Sequence, residues 1–133
     1  MTIAYACILV AALLPIVCAG IAKAGMFGVP RSQGGFDNHD PRAWLARQTG
    51  YRARANAAQA NSFEALPFFI GAVIVAHLTG GAQPLVDALA LAFIALRASY
   101  IALYLADRAL LRTLAWVLAF ACCVALLFAG SLS

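Results

Sequence analysis

The stretch Arg54-Ala55-Asn56-Ala57-Ala58-Gln59-Ala60-Asn61-Ser62-Phe63-Glu64-Ala65-Leu66-Pro67-Phe68-Phe69 opens an apolar segment that runs on to Ala76 and carries Gln59, Asn61, Glu64 and Pro67 into it. Its setting decides the fold. The chain is 65% apolar and 11% charged over 133 residues, whereas a soluble domain carries about 25% charged residues. Four apolar segments stand out, Thr2–Ala22, roughly Ala57–Thr79, Pro84–Ala106 and Ala109–Gly130. Each is near the roughly 20 residues a helix needs to cross the hydrocarbon layer. Strands are excluded by the lack of alternating polarity and by the cost of an open sheet edge in lipid. The expected fold class is an all-α integral membrane protein, a four-helix transmembrane bundle. A single domain over 1–133 follows, with helices at about 2–24, 41–79, 84–106 and 109–130.

The first segment is read as a spanning helix rather than a signal peptide, because no Lys or Arg precedes it and its apolar run exceeds a typical signal core. A lipoprotein box ending at Cys18 fails on Pro15. Cys7, Cys18, Cys122 and Cys123 all fall in apolar segments and are read as small packing residues, without a disulfide framework or metal-ligand spacing. Lys23, Arg31, Arg42, Arg47, Arg52 and Arg54 flank or occupy the first connection, Arg108 and Arg112 the third, and the second has none. The positive-inside rule then puts the first and third connections in the cytoplasm and both termini outside. The net charge of +4 is thereby assigned to topology beside anionic lipid, so membrane lipid is the expected partner and nucleic acid is not.

The first connection is rich in glycine from Gly25 to Gly35 and reads as a flexible loop. Asp40-Pro41 reads as a helix start, with Asp40 capping and Pro41 in the first helical position. From there a helical pattern runs to Thr79, about 60 Å at about 1.5 Å per residue, so its first half must lie outside the membrane core, with Trp44, Tyr51 and the arginines as interfacial anchors. Pro67 is either a packing kink or a device that exposes carbonyls near a pocket. His77, without a second His or Cys at ligand spacing, is read as an interface residue, and Asp87 as a partner of the positive end of the third spanning helix.

At about 1.5 Å of rise per residue, Glu64 lies about 10 Å below the cytoplasmic boundary, and Tyr104, Tyr100 and Arg97 lie about 6, 12 and 16 Å below it. Asn61 and Glu64 share a helical face, as do Arg97, Tyr100 and Tyr104. An isolated charge in the membrane costs roughly 2.5–3.5 kcal/mol, so Glu64 is expected to pair with Arg97. The polar set either glues helices together or lines a pocket, open to the cytoplasm, for a small hydrogen-bonding anion.

These residues resemble the family of membrane-associated proteins in eicosanoid and glutathione metabolism, the MAPEG family, of bacterial type. The resemblance rests on Arg54, on Ala58-Gln59-x-Asn61-x-x-Glu64 with Pro67, on Arg97-x-x-Tyr100-x-x-x-Tyr104, and on Arg112 opening the last helix. It implies a homotrimer in the bacterial inner membrane with glutathione bound as thiol substrate between subunits, and a lipophilic small-molecule substrate. It implies that Arg54, Gln59, Asn61, Glu64, Arg97, Tyr100 and Tyr104 bind glutathione and that Arg112 stabilises its thiolate. The chain departs from the pattern at Ala57, where many members carry arginine, and at Trp116, where some carry tyrosine. With a short third connection, Arg108 competes with Arg112 for the thiolate role. Two other readings stand beside the transferase: a non-catalytic member of the fold, and a small proton-coupled transporter using Glu64.

Overall fold

In hydrocarbon a backbone has only its own partners, and the chain is accordingly helical: α1 (Ile3–Lys23), a short α2 (Pro41–Ala46), α3 (Gly50–Leu78), α4 (Gln83–Leu105) and α5 (Ala109–Leu127). The computed structural model describes residues 1–131, so the last two residues of the domain read over 1–133 lie outside the described residues. Among the described residues there is no strand. Helices α1, α3, α4 and α5 are each long and apolar enough to cross a membrane. The expected all-α, four-span fold is the observed one.

Helices α3 and α4 each touch all the other spanning helices, with α1 and α5 on opposite flanks. Close approach is made by small side chains, Ala4, Cys7 and Ala11 on α1, Ala72 and Ala76 on α3, Ala90 on α4 and Ala119 on α5, all buried in one core. Phe69 and Phe93 stack at its centre, 4.0 Å between ring centroids and 7° between planes. The cysteines are free. Leu9, Leu13, Ile16 and Val17 of α1 and Leu110, Leu114, Val117 and Leu118 of α5 are exposed. That apolar surface suits acyl chains as its contact.

One expectation is corrected. The single helix read over 41–79 is broken between α2 and α3, with Thr49 extended at φ −128° and Gly50 at φ 62°. Only glycine takes that left-handed conformation without strain. The break lets α2 turn Trp44 and Leu45 into a second core with Ala22 and Ala55, which an unbroken helix would carry away from α1. The start was read correctly: the Asp40 side chain accepts from Ala43 N–H at 3.2 Å, with Pro41 in the first turn. Helix α3 continues through Pro67.

The glycine-rich connection is a loop, as expected, with one short 3-10 turn at Arg31–Gln33, and it is pinned by side-chain contacts rather than slack. Trp44 Nε1 donates to the Gly34 carbonyl at 3.2 Å, Phe36 sits edge-on to Trp44 at 5.2 Å, and the Lys23 ammonium lies 4.7 Å from the Phe36 ring centroid. A Cβ at Gly35 would collide with the Val29 carbonyl. Glycine here provides close approach.

Two arginines of α3 finish neighbouring helices. Arg52 Nη1 donates to the Ala22 carbonyl at 2.8 Å, and Arg54 Nε to the Leu105 carbonyl at 3.2 Å. Carbonyls in the last turn lack helical partners and carry the negative end of the dipole, so a guanidinium suits both needs. The turn between α4 and α5 closes with Arg108 N–H bonded to the Leu103 carbonyl at 2.9 Å and Asp107 at φ 57°, a left-handed cap of Schellman type.

The opposite end is tied as well. Asp87 Oδ1 accepts from the Ala4 amide and from Gln83 Nε2, both at 2.8 Å, so the carboxylate caps α1 from the start of α4. His77 stacks on Tyr5 at 4.1 Å, donates Nδ1–H to the Val73 carbonyl at 2.8 Å, and accepts the Thr2 hydroxyl at Nε2, 3.2 Å away. A carbonyl only accepts, which fixes this tautomer. Replacing Asp87 by Ala should destabilise the bundle by about 1–2 kcal/mol, read as a lower melting temperature in detergent. Asp87→Asn, which keeps an acceptor oxygen, should lose less than half as much.

Candidate functional site

An α-helix puts residues three and four apart on one side, so Asn61, Glu64, Ala65 and Phe68 of α3 form a single strip facing α4 and α5. Between the three helices lies a cavity of about 270 Å³. Its polar corner is Asn61, Glu64 and Arg97, and the remaining wall is apolar, with Phe68, Phe93, Trp116 and Phe120 as the large side chains and Ala65, Ala119 and Cys123 as the small ones that leave room. Phe120 stands between Phe68, 5.2 Å away, and Trp116, 5.6 Å away. Trp116 and Phe120 are exposed on the outer side of α5, so the aromatic wall reaches the surface of the chain.

Arg97 is the centre of the polar corner and is 2% exposed. Its Nη2 donates to Asn61 Oδ1 at 2.9 Å and to Ser62 Oγ at 3.3 Å, and its guanidinium lies 4.2 Å from the Tyr100 ring centroid. Both hydrogen bonds leave from one nitrogen. The expected direct pair with Glu64 is not formed: Glu64 Oε2 instead accepts Asn61 Nδ2 at 3.3 Å, and the one ion pair among the described residues is Arg31–Asp37 at 3.5 Å. Asn61 is therefore a relay. Only one orientation of its amide serves, because the guanidinium can only donate and the carboxylate only accept. The physical reason is burial: Glu64 is exposed whereas Arg97 is enclosed, and an amide spans the gap without drawing the carboxylate into the core. A buried cation without a direct ion pair is left at the edge of a cavity that Glu64 also lines.

The other expected site residues divide. Tyr100 is buried and meets Tyr104 edge-on at 5.7 Å, and the half-buried Arg112 lies over the Tyr104 ring, 4.2 Å from its centroid. Arg97, Tyr100, Tyr104 and Arg112 thus form a continuous column from the cavity to the start of α5, although neither the tyrosines nor Arg112 line the cavity itself. Arg108 is exposed at the turn. Arg54 is turned away from the cavity and holds the end of α4.

Gln59 lies on another face of α3. It lines a separate cavity, also of about 270 Å³, with Arg42, Leu45, Asn56, Ala60 and Phe63. Its Oε1 is buried there without a hydrogen-bond partner, an arrangement that ordinarily costs about 1–3 kcal/mol. Gln59 and Asn61, two residues apart on α3, line different cavities of the chain.

Sequence reasoning missed Ser62, the second acceptor for Arg97, and the aromatic wall. Ser62 sits beside Asn61 in the motif, and a buried guanidinium with five donors needs more than one acceptor, which was the available signal. Phe93, Ala119 and Cys123 carried none, since any apolar residue of a spanning helix looks alike in sequence.

Family membership rests on a match independent of this geometry. Neither the curated proteins nor the solved structures yielded a significant match to the chain. The family model of the MAPEG family matches residues 3–132, nearly the whole chain. With four helices able to span a membrane and a polar corner drawn from the second and third of them, the chain belongs to the MAPEG family of membrane proteins in eicosanoid and glutathione metabolism.

Proposed function

We propose that the protein binds glutathione in the cavity between α3, α4 and α5 and delivers its thiolate to a lipophilic electrophile or peroxide. The observation that carries this reading is Arg97, a guanidinium 2% exposed and without a carboxylate partner, on a cavity that is otherwise mostly apolar. A buried charge without a partner is strongly disfavoured, and a ligand carboxylate relieves it. Glutathione brings a carboxylate for Arg97, amides for Asn61 and its γ-glutamyl ammonium for Glu64, and its thiol then extends along the column toward Arg112. The apolar wall of Phe68, Trp116 and Phe120 receives the second substrate laterally from the bilayer.

The chemistry asks little of the protein. A thiol with an ordinary pKa near about 8.5 is mostly protonated at neutral pH, and a nearby guanidinium favours the reactive thiolate. Arg112, half-buried, suits this better than Arg108, whose charge is spent in solvent. In a glutathione titration by calorimetry, Arg97→Gln should weaken binding at least about tenfold, equal to about 1.4 kcal/mol. The ultraviolet thiolate band should rise on binding to the wild type, fall sharply in Arg112→Ala, and persist in Arg108→Ala. Binding without the band would make the protein a non-catalytic binder, and no binding would leave the polar corner as helix glue.

The assembly belongs to the same proposal. The exposed Glu64 edge of the glutathione cavity supports a homotrimer in which a neighbouring subunit packs beside that edge, so that glutathione lies between subunits. Native mass spectrometry in detergent should give three copies per particle. A monomer at all concentrations would remove the intersubunit site.

We also propose a bacterial inner-membrane orientation with both termini outside. Of the nine Lys and Arg residues, all but Arg97 lie between Lys23 and Arg54 or between Arg108 and Arg112, at one end of the bundle. Single cysteines introduced at Ser32 and Ala82 should react with an impermeant maleimide from the cytoplasmic and external sides respectively. The reverse pattern would invert the orientation.

A further inference from the structure

The column from Arg97 to Arg112 repeats one device. Each guanidinium lies 4.2 Å from the centroid of a tyrosine ring, Arg97 over Tyr100 and Arg112 over Tyr104. For Arg97 the ring supplements hydrogen bonds from Nη2. For Arg112 the ring is the one side-chain partner among the described residues. Arg112 also sits in the first turns of α5, where the positive end of the helix dipole disfavours a cation. Its place is therefore not explained by helix stability, and a long side chain with several rotatable bonds would otherwise spread over many rotamers.

A guanidinium is normally held by acceptors, which occupy its N–H groups. A ring face holds it through the π quadrupole instead and leaves all five donors free. That distinction matters only if the donors are needed for something else. Resting on the glutathione reading given above, we propose that Tyr104 is a positioning residue: its ring face, rather than its hydroxyl, holds Arg112 so that the guanidinium N–H groups remain available to the thiolate sulfur. Tyr100, edge-on to Tyr104 at 5.7 Å, fixes the ring that fixes Arg112.

The hydroxyl and the ring face are separable by substitution. The readout is the pH midpoint of the thiolate band of bound glutathione, measured on the full-length protein in detergent. Tyr104→Leu removes the face and should raise the midpoint by about half to one and a half pH units, the range a cation–π contact of this kind supports. Tyr104→Phe should recover most of that shift, and Tyr104→Trp, which presents a larger face, should do so as well. Should Tyr104→Leu fail to fold, Tyr104→Met, which keeps the bulk without a ring face, takes its place and should give the same rise. If Tyr104→Phe shifts the midpoint as far as Arg112→Ala does, the hydroxyl carries the effect and the proposal is overturned. It is equally overturned if Tyr104→Leu folds, binds glutathione and keeps the wild-type midpoint. A wild-type protein that binds no glutathione or shows no thiolate band would instead sink the parent reading, and this proposal with it.

Discussion

The bundle is organised around a positive charge that the helices enclose without neutralising. Arg97 could not be placed in hydrocarbon alone, and its tolerance comes from three partial compensations: the Asn61 amide oxygen, the Ser62 hydroxyl and the face of Tyr100. Each offers a negative partial charge without the full charge of a carboxylate. The resulting position is held firmly in geometry without a direct ion pair, and Glu64 faces it across the cavity they share.

The same economy of charge runs through the rest of the basic residues. Arg52 and Arg54 are two residues apart on α3 and reach in different directions, one to the end of α1 and the other to the end of α4. Asp87 performs the reciprocal service for the start of α1. The spanning helices are thus fastened at their ends by ionic side chains and along their lengths by small ones, with Ala4, Cys7, Ala11, Ala72 and Ala76 allowing the backbones to approach. Polar cohesion is placed where helix termini need it, and apolar contact elsewhere.

How much of this was legible in sequence depended on the period of the signal. Spanning segments were readable because hydrocarbon sets a length, and the i, i+3 spacing of Asn61 with Glu64 correctly put both on one cavity. The break before Gly50 was not read, because a single glycine in an alanine-rich run looks like a weakened helix until Trp44 and Leu45 are seen to need another direction. Arg54 and Gln59 were grouped with Asn61 by the family resemblance. Helical phase sends Gln59 to another cavity, and the length of the arginine side chain lets Arg54 reach a backbone carbonyl on α4 instead. The relay through Asn61 lay beyond residue types altogether, since it depends on how deeply each of three side chains is enclosed.

The bonds from Arg52 and Arg54 also impose an order on biogenesis. When α1 leaves the insertion machinery its last carbonyls lack the guanidinium that later serves them, since Arg52 is still about thirty residues of chain behind the Ala22 it will meet. Arg54 must wait in turn for Leu105, more than fifty residues further on. Helix α3 is therefore the donor first to the end of α1 and then to the end of α4. Until α4 is in place the Arg54 guanidinium has no Leu105 carbonyl to bond, so this cap is set only once the third spanning helix has packed.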